Sequence, residues 1–533
     1  MNFSFLHKSS SINKAVVILA IASLGSRLLG LVRDRIFAGL FGAGDVLDTY
    51  FAAFRIPDLI YNLLILGALS SAFIPVFAGF IAQGKKEDAL KVANSMINAV
   101  LLFVGVLCVI LFIFMPKLVV LITPGFDLEK RDMTCMLTRI MLLSPIFFGL
   151  SNVASGILNS FRRFFLYGLA PVMYNLGIIF GALVLFPIFG IKGLALGVVI
   201  GACSHMLIQL PGILRLGYRW KAILDFTHKG VREIGRLMVP RALGLATYQV
   251  SLLVNTIIGS TLAIGSVAVY NFANNLQSFP LGLFGISYAV ASFPVLAEKA
   301  SLEKMKGFVD TFSKSFREIL FFVIPASVLF LLLRAQLVRI ILGTGQFGWR
   351  DTKLTAAALG FFSISLFAQS LLPLLARSFY ALHDTKTPVL ISVSCMGLNI
   401  IGSLLLSRSM GVVGLAFAFS IASFINMILL LGMLRMKVGN LNDASIISSV
   451  TKIILSALLA GLACYGTLYA IAPQVNMQTF LGVFIQGSGA GIIGIATYII
   501  AAFALRCKEV QLISKFLTKF LRIRNFANGN KRS

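Results

Sequence analysis

Apolar residues run along this chain in long blocks, with polar residues gathered in the gaps between them. The blocks fall near 15–40, 46–80, 92–115, 134–158, 168–188, 191–214, 234–262, 266–296, 312–340, 354–380, 388–407, 411–434, 449–472 and 480–505. Crossing the hydrocarbon of a bilayer takes about 20 residues of helix. The pattern therefore predicts an all-α integral membrane protein of about fourteen transmembrane helices. Several blocks are longer than one crossing and contain proline (Pro57, Pro75, Pro145, Pro280, Pro373). Interrupted helices of that kind are tolerated where neighbouring protein or a wet cavity satisfies the freed backbone groups.

The gaps orient the chain. With the N-terminus inside, the even-numbered loops carry Lys85, Lys86 and Lys91, then Arg162 and Arg163, then Arg215, Arg219, Lys221, Lys229 and Arg232. Lys299, Lys304, Lys306, Lys386, Arg435 and Lys437 continue the series. Odd-numbered loops are poorer in cations and partly balanced by acids, as over Asp127–Asp132. The positive-inside rule then places both termini in the cytoplasm. The first block leads into Arg27 and Arg33 with no polar mature domain after it, so it reads as a retained helix and not a cleaved signal.

A second pattern lies above the blocks. SAFIPVFA (Ser71–Ala78) parallels ASFPVLA (Ala291–Ala297). NSFRRFFLYGLAPV (Asn159–Val172) parallels RSFYALHDTKTPV (Arg377–Val389), and GIKGLALG (Gly190–Gly197) parallels GVVGLAFA (Gly411–Ala418). The offsets are 217–221 residues. Helices 1–6 (residues 1–227) and 7–12 (228–437) thus read as two copies of one unit in parallel orientation, an arrangement in which transporters bind between halves. Helices 13–14 (438–505) and a tail (506–533) lie outside the repeat. Over Val510–Arg524 the tail sets Leu512, Ile513, Phe516, Leu517 and Phe520 against Lys515, Lys519 and Arg522. That pattern suits a helix lying on an anionic leaflet, and equally a solvated tail whose charge only sets topology.

Composition agrees. Of 533 residues, 58% are hydrophobic and 12% charged, with mean hydropathy +0.94, which leaves the bilayer as the only fitting solvent. A net charge of +27 would suit a nucleic-acid binder, but its confinement to short loops makes it topogenic and excludes that class. Six cysteines are scattered without a CxxC, and His7, His205, His228 and His383 have no ligand spacing, so neither a disulfide framework nor a metal site is expected. Gly487, Gly489, Gly491 and Gly494 follow no strand and precede no GK[ST]; they read as close helix packing.

The chemistry sits in charges inside the spans, where an ionised group is costly and normally faces a partner or a wet cavity. Helix 1 carries Arg27, Arg33, Asp34 and Arg35; helix 2 adds Asp48 and Arg55; helix 7 adds Arg241, Gln249 and Asn255; helix 8 adds Asn271, Asn274, Asn275 and Gln277. Arg27 and Asp34 are seven residues apart and share a helix face. Arg27 lies about 18 Å into its span at 1.5 Å per residue, too deep to reach the surface easily. Arginine suits phosphate because its planar fork donates parallel hydrogen bonds. The set Arg27, Arg33, Asp34, Asp48, Arg55, Arg241, Asn255, Asn274 and Asn275 therefore reads as a cationic cavity for an anionic head group. A plainer reading stands beside it: Arg33, Asp34 and Arg35 pair at a helix end, Arg55 and Arg241 are structural or topogenic, and the asparagines join helices. His205 reads as a hydrogen-bonded interface residue.

Certain strings carry a resemblance. SRLLGLVRD (Ser26–Asp34), FGAGDVLDTYFAAFRIPDL (Phe41–Leu59), GALSSAFIPVF (Gly67–Phe77), LVNTIIGS (Leu253–Ser260), FPLGLFGIS (Phe279–Ser287) and FYALHDTKTPV (Phe379–Val389) resemble the MurJ/MviN lipid II flippase family over the whole chain. The wider multidrug and polysaccharide exporter superfamily shares the twelve-helix core but not these strings. The resemblance implies two six-helix lobes like those of MATE transporters plus two extra helices. It further implies transfer of lipid II between leaflets of the bacterial cytoplasmic membrane by alternating access, with a cationic cavity for the diphosphate-sugar head. A groove formed by the last two helices would take the polyprenyl tail. By motif, Arg27, Arg33 and Asp34 match the family's first-helix charges, and Asp48 its second-helix acid. The chain departs from charged members at Tyr61, Asn62 and Leu66, and at Asn275 and Ser278; Arg241 is a candidate replacement for the missing charge.

No nucleotide motif is present, so no cofactor is expected and the drive falls to an ion gradient, the membrane potential or consumption of product. Partners would be the glycolipid, membrane lipids and wall-synthesis machinery. Rival readings are an exporter of another polyprenyl-linked glycolipid or a drug, a membrane-embedded transferase, and a wall-synthesis scaffold. No catalytic acid or metal-binding motif supports the transferase, and a scaffold has no use for intramembrane arginines.

Overall fold

The structure, a computed structural model, describes residues 12–302 and 304–512, with side chains described except at 12–20, 66–71 and 239–246. Among the described residues all regular secondary structure is helical, as the apolar blocks predict. Eleven helical stretches there are long and apolar enough to cross a bilayer, approximately consistent with fourteen. Three more, over residues 12–41, 45–82 and 229–260, coincide with the other expected spans and are the ones carrying Arg27, Arg33, Asp34, Asp48, Arg55 and Arg241.

The first span is α1 (Ile12–Phe41), ended by Gly42. The second is broken into α2 (Asp45–Ala53), α3 (Arg55–Ile60), a π-helical stretch Tyr61–Leu69 and α4 (Ser70–Ala82). Asp45 and Asp48 in the first turn of α2 suit the positive end of the helix dipole. Next come α5 (Lys86–Ile122), α6 (Leu128–Met141), α7 (Leu143–Ser160) and α8 (Phe164–Phe180), then a π turn (Gly181–Leu185) and the short α9 (Phe186–Phe189). The chain continues through α10 (Ile191–Leu207), α11 (Leu210–Arg215), α12 (Lys229–Ser260) and α13 (Ser266–Pro280). A π turn (Leu281–Ile286) leads into α14 (Ser287–Ser301), followed by α15 (Met305–Leu332), α16 (Arg334–Ile341) and α17 (Trp349–Ala381). The last helices are α18 (Lys386–Met410), α19 (Val412–Val438), α20 (Asp443–Ile471) and α21 (Phe480–Ala504).

The internal repeat is written into the backbone. The π stretches starting at Tyr61 and Leu281 lie 220 residues apart, inside the range of the sequence offsets. Gly190 and Gly411, the hinges before α10 and α19, adopt φ +60° and +58°, a left-handed conformation that glycine takes without cost. Arg162 and His383, both non-glycine, adopt φ +57° and +58° at the matching turns. Equal turns at equal offsets are what two copies of one folding unit produce.

By compactness the chain forms two units. The first runs to Asn271 and takes in Ile341–Asp351; the second comprises Phe272–Ile340 and resumes at Thr352. This contact boundary falls beyond the repeat boundary at 227/228, because α12 packs on α4, α5 and the π stretch that precedes α4. The first unit's core joins Phe73 and Phe77 of α4, Val92 and Met96 of α5, Leu158 of α7 and Ile234 of α12. The second unit's core joins Phe308, Phe312 and Phe316 of α15 with Leu366, Leu375 and Phe379 of α17 and Leu434 of α19. Lipid tails are as apolar as these side chains, so close packing rather than escape from water holds such cores together.

The helices outside the repeat pack through small residues. A Cβ on Gly494 of α21 would stand 3.2 Å from Cys464 Cβ on α20 and 2.8 Å from Leu329 Cδ2 on α15. Close helix contact is thus the use of that glycine row. Tyr498 of α21 donates to the Phe321 carbonyl of α15 at 2.6 Å. The amphipathic tail expected over Val510–Arg524 lies, beyond residue 512, outside the described residues.

Candidate functional site

Most of the charge buried in the spans belongs to the first unit. On α1, Arg33 donates to the Asp34 carboxylate through Nε at 3.0 Å and Nη2 at 2.8 Å. Its Nη1 reaches Asn175 Oδ1 on α8 at 3.2 Å. Asn175 is tied down in turn, donating from Nδ2 to the Pro171 carbonyl at 3.1 Å and to Ser26 Oγ at 3.3 Å. Asp34 is 3% exposed while the Arg33 side chain keeps 22%. The pair expected at a helix end therefore forms inside the unit, with the guanidinium as its accessible partner. Arg35 turns elsewhere, to the Ile341 carbonyl at 3.4 Å. Arg27, two turns earlier, is half-buried. The face of α1 that sets Arg33 is keyed to α2 by Phe37 and Tyr50, packed edge-on with ring centres 5.0 Å apart.

Arg55, at the start of α3, is the most enclosed cation here, 7% exposed. Its Nε donates to Thr256 Oγ1 on α12 at 2.6 Å and its Nη2 to Asn271 Oδ1 on α13 at 2.5 Å. Thr256 and Asn271 are fixed by bonds to the Leu252 and Val267 carbonyls of their own helices. Both direct partners are neutral oxygens. One turn along α3, the Asp58 carboxylate lies within electrostatic reach of both Arg55 and Arg33. Asn255 donates to the Tyr270 hydroxyl at 2.8 Å, buried between α12 and α13.

Asp48, expected among head-group residues, has its carboxylate engaged in the scaffold. Oδ2 accepts the Gly265 N–H at 2.7 Å and Oδ1 the Ala268 N–H at 2.9 Å, so it caps the N-terminus of α13 from a distant helix. Lys130 on α6 sits 3.6 Å from Asp48 and 2.5 Å from Asp45. The physical reason is the set of unpaired amides at a helix start, which accept a carboxylate readily. Arg241 lies where side chains are outside the described residues. His205 meets Ser151 Oγ at 2.6 Å, and Gln209 bridges Ser151 to Ser155, an interhelical polar contact as expected.

In the second unit the polar chain joining α13, α17 and α19 is neutral. Asn274 Oδ1 accepts from Gln277 Nε2 at 3.0 Å, and Asn275 is half-buried on the same helix. Gln369 Nε2 of α17 donates to Gln277 Oε1 at 3.0 Å and Ser365 Oγ at 2.8 Å; Ser365 donates to Ser420 of α19. Beside this chain lies an apolar cavity of about 490 Å³ lined by α15, α17, α19 and α20, with Leu320, Ile324, Phe367 and Val450 on its walls.

Sequence reasoning missed Asn175, Asp58 and Thr256, and it singled out Asn271 without its partner Arg55. Each is a polar residue in an otherwise apolar span, a signal present in the sequence, but without the crossing of α1 with α8, or of α3 with α12 and α13, nothing marks these as partners of the arginines.

Comparison with known proteins follows the same lines. The sequence pattern of the family described as "Lipid II flippase MurJ" matches residues 37–484. A Vibrio cholerae protein named "Probable lipid II flippase MurJ" is 31% identical over 436 residues, covering 79% of this chain and 82% of its own. The "Lipid II flippase MurJ" of Burkholderia cenocepacia is 29% identical over 434 residues, 78% of this chain and 82% of its own. Among solved structures, lipid II flippase MurJ in an inward closed conformation superposes with a TM-score of 0.75 at 26% identity, over 92% of this chain and 99% of that one. An inward-facing MATE transporter of the MOP superfamily shares the fold, with a TM-score of 0.69 at 16% identity, over 80% of this chain and 99% of that one.

Proposed function

We infer, from the premise that this chain belongs to the lipid II flippase MurJ family, that it carries lipid II from the inner to the outer leaflet of the bacterial cytoplasmic membrane. The observation that carries the mechanism is the pair of arginines set within one unit, Arg33 and Arg55, each pre-positioned by hydrogen bonds.

The physical task is to move a diphosphate through hydrocarbon, where a single charge costs several kcal/mol or more. Guanidinium donors replace the lost hydration. Asp34 and Asn175 hold Arg33 through three contacts, and its remaining donors are those a phosphate oxygen would take. Arg55 bonds directly to neutral oxygens and has one carboxylate, Asp58, within electrostatic reach, so it adds a positioned guanidinium to the site. Arg27 extends the positive path along α1. The side-chain amides Asn255, Asn274 and Asn275 are candidate partners for sugar and peptide groups. The apolar cavity beside α20 is the candidate seat of the polyprenyl tail. Transport proceeds by alternating access, with both termini cytoplasmic and the drive supplied by an ion gradient, the membrane potential or consumption of product.

The test is depletion–complementation in a bacterium stripped of its own flippase, reading outer-leaflet lipid II. Wild type restores it, and Arg27→Ala at equal membrane abundance reduces it. An abundant wild-type chain that fails to restore it overturns lipid II as the substrate and favours another polyprenyl-linked glycolipid.

A further inference from the structure

Beyond α21 the chain makes one turn of 3-10 helix, Lys508–Val510, which lays Glu509 against α15 and α20. The Glu509 side chain is 4% exposed. Its Oε1 accepts from Arg317 Nη1 at 2.8 Å and from Ser449 Oγ at 3.1 Å. Its other oxygen, Oε2, is buried and has no hydrogen-bond partner among the described residues. An unpaired carboxylate oxygen in a buried setting is a costly group that wants a donor.

Glu509 lines a pocket of about 190 Å³, together with Lys314, Arg317, Glu318 and Lys508. Lys314 and Lys508 are exposed, whereas Arg317 is held by Glu509. The last two turns of α21 next to this pocket present Ile500 and Phe503 at 68% and 75% exposure. Apolar side chains so exposed belong against lipid, so the pocket sits where the chain leaves the hydrocarbon.

The pocket thus brings together two exposed ammonium groups and two carboxylates, Glu318 and Glu509, and the Glu509 carboxylate keeps one buried oxygen in want of a donor. We propose that it binds the head group of an aminophospholipid, with the phosphate on Lys314 and Lys508 and the primary ammonium on Glu509 Oε2. A phosphatidylglycerol head would satisfy the lysines but brings no ammonium. A choline head carries positive charge but no N–H to donate. The site therefore selects by hydrogen bonding, where loss of a donor is strongly felt. It is independent of the transport reading, since none of its residues belongs to the arginine site.

The test uses the purified full-length protein and short-chain phosphatidylethanolamine, phosphatidylglycerol and phosphatidylcholine, with retention read by native mass spectrometry. Phosphatidylethanolamine should be retained about tenfold over phosphatidylcholine, the equivalent of one charge-assisted hydrogen bond. Lys314→Ala with Lys508→Ala, both at exposed positions, should lose a similar factor for phosphatidylethanolamine. Glu509→Gln should abolish the preference over choline; if that variant does not fold, the lysine variant and the lipid series still decide. Equal retention of ethanolamine and choline lipids, stronger retention of phosphatidylglycerol, or an unchanged lysine variant would each overturn the proposal.

Discussion

The two units bury polar groups at comparable places and with different chemistry. In the first, Arg33 and Arg55 bring formal charge into the spans, clamped by Asp34, Asn175, Thr256 and Asn271. In the second, the chain from Asn274 through Gln277, Gln369 and Ser365 to Ser420 is neutral amide and hydroxyl throughout. The backbone repeat makes the units alike in topology, down to the left-handed glycines at 190 and 411. The side chains then divide the labour. Neutral hydrogen bonds between membrane helices are each worth only about 0.6 kcal/mol. Charge inside a membrane span is far more expensive, and the proposed function gives the first unit a use for it.

The sharpest way to break this comparison is at Arg33. Arg33→Ala should abolish rescue in the complementation assay. It also takes the guanidinium away from the buried Asp34 carboxylate, which lowers stability and by itself depletes the protein. The paired change Arg33→Ala with Asp34→Asn removes the carboxylate charge as well and should restore membrane abundance without restoring outer-leaflet lipid II. Rescue by the pair would make the ion pair scaffold only and erase the distinction between the units. Arg33→Lys should rescue in part, since a lysine carries the charge without the fork.

Arg55 comes next. Arg55→Gln keeps a donor for Thr256 Oγ1 or Asn271 Oδ1 but removes the charge. An outer-leaflet lipid II rate lowered about tenfold, the equivalent of about 1.4 kcal/mol, is expected at near-normal abundance. An unchanged rate would move Arg55 into the same class as Asp48, a polar group spent on holding helices together.

How much of this was legible in the sequence follows from what each kind of residue reports. Block lengths and the 217–221 offsets carried the helices and the repeat because hydrophobic periodicity is a local signal. The arginines were legible because a charge in an apolar block is conspicuous. Their partners were not, since Asn175 lies 142 residues from Arg33 and Thr256 lies 201 from Arg55. Asp48 shows the limit of reading a charge without its surroundings: a helix start at Ser266 consumes its carboxylate, and only the fold brings the two together. The apolar cavity is lined by α20 with α15, α17 and α19, a grouping of separate spans that block lengths alone do not bring together.

A smaller effect tests the neutral side of the comparison. Gln369→Leu breaks its bonds to Gln277 and Ser365 while keeping volume. It should cost about 1 kcal/mol of stability and leave the flipping rate within about threefold of wild type. In a double-mutant cycle with Gln277→Leu the two changes should couple, because they share one hydrogen bond. A loss of transport as large as that of Arg33→Ala, at normal stability, would show that the second unit's neutral chain also touches the substrate.

The smallest expected effect lies outside the membrane, at the turn between α17 and α18. Burial there raises the Asp384 carboxyl, but the Lys437 ammonium at 2.7 Å, the Thr387 N–H at 3.0 Å and the Thr387 hydroxyl at 2.8 Å outweigh it and hold the group at about 2, below its ordinary 3.8. A carboxylate depressed by folding stabilises the fold fully above its unfolded pKa and loses that contribution as pH falls through the folded one. The contribution is therefore complete above about pH 4 and lost progressively from there down to about pH 2. Asp384→Asn should melt below wild type at pH 7 and converge with it near pH 2, read by thermal unfolding in detergent. Because the Lys437 side chain is 41% exposed, added salt should narrow the gap at pH 7. A gap that persists unchanged at pH 2 would mean that Asp384 acts through the shape of the turn, where His383 already sits at φ +58°, and not through its charge.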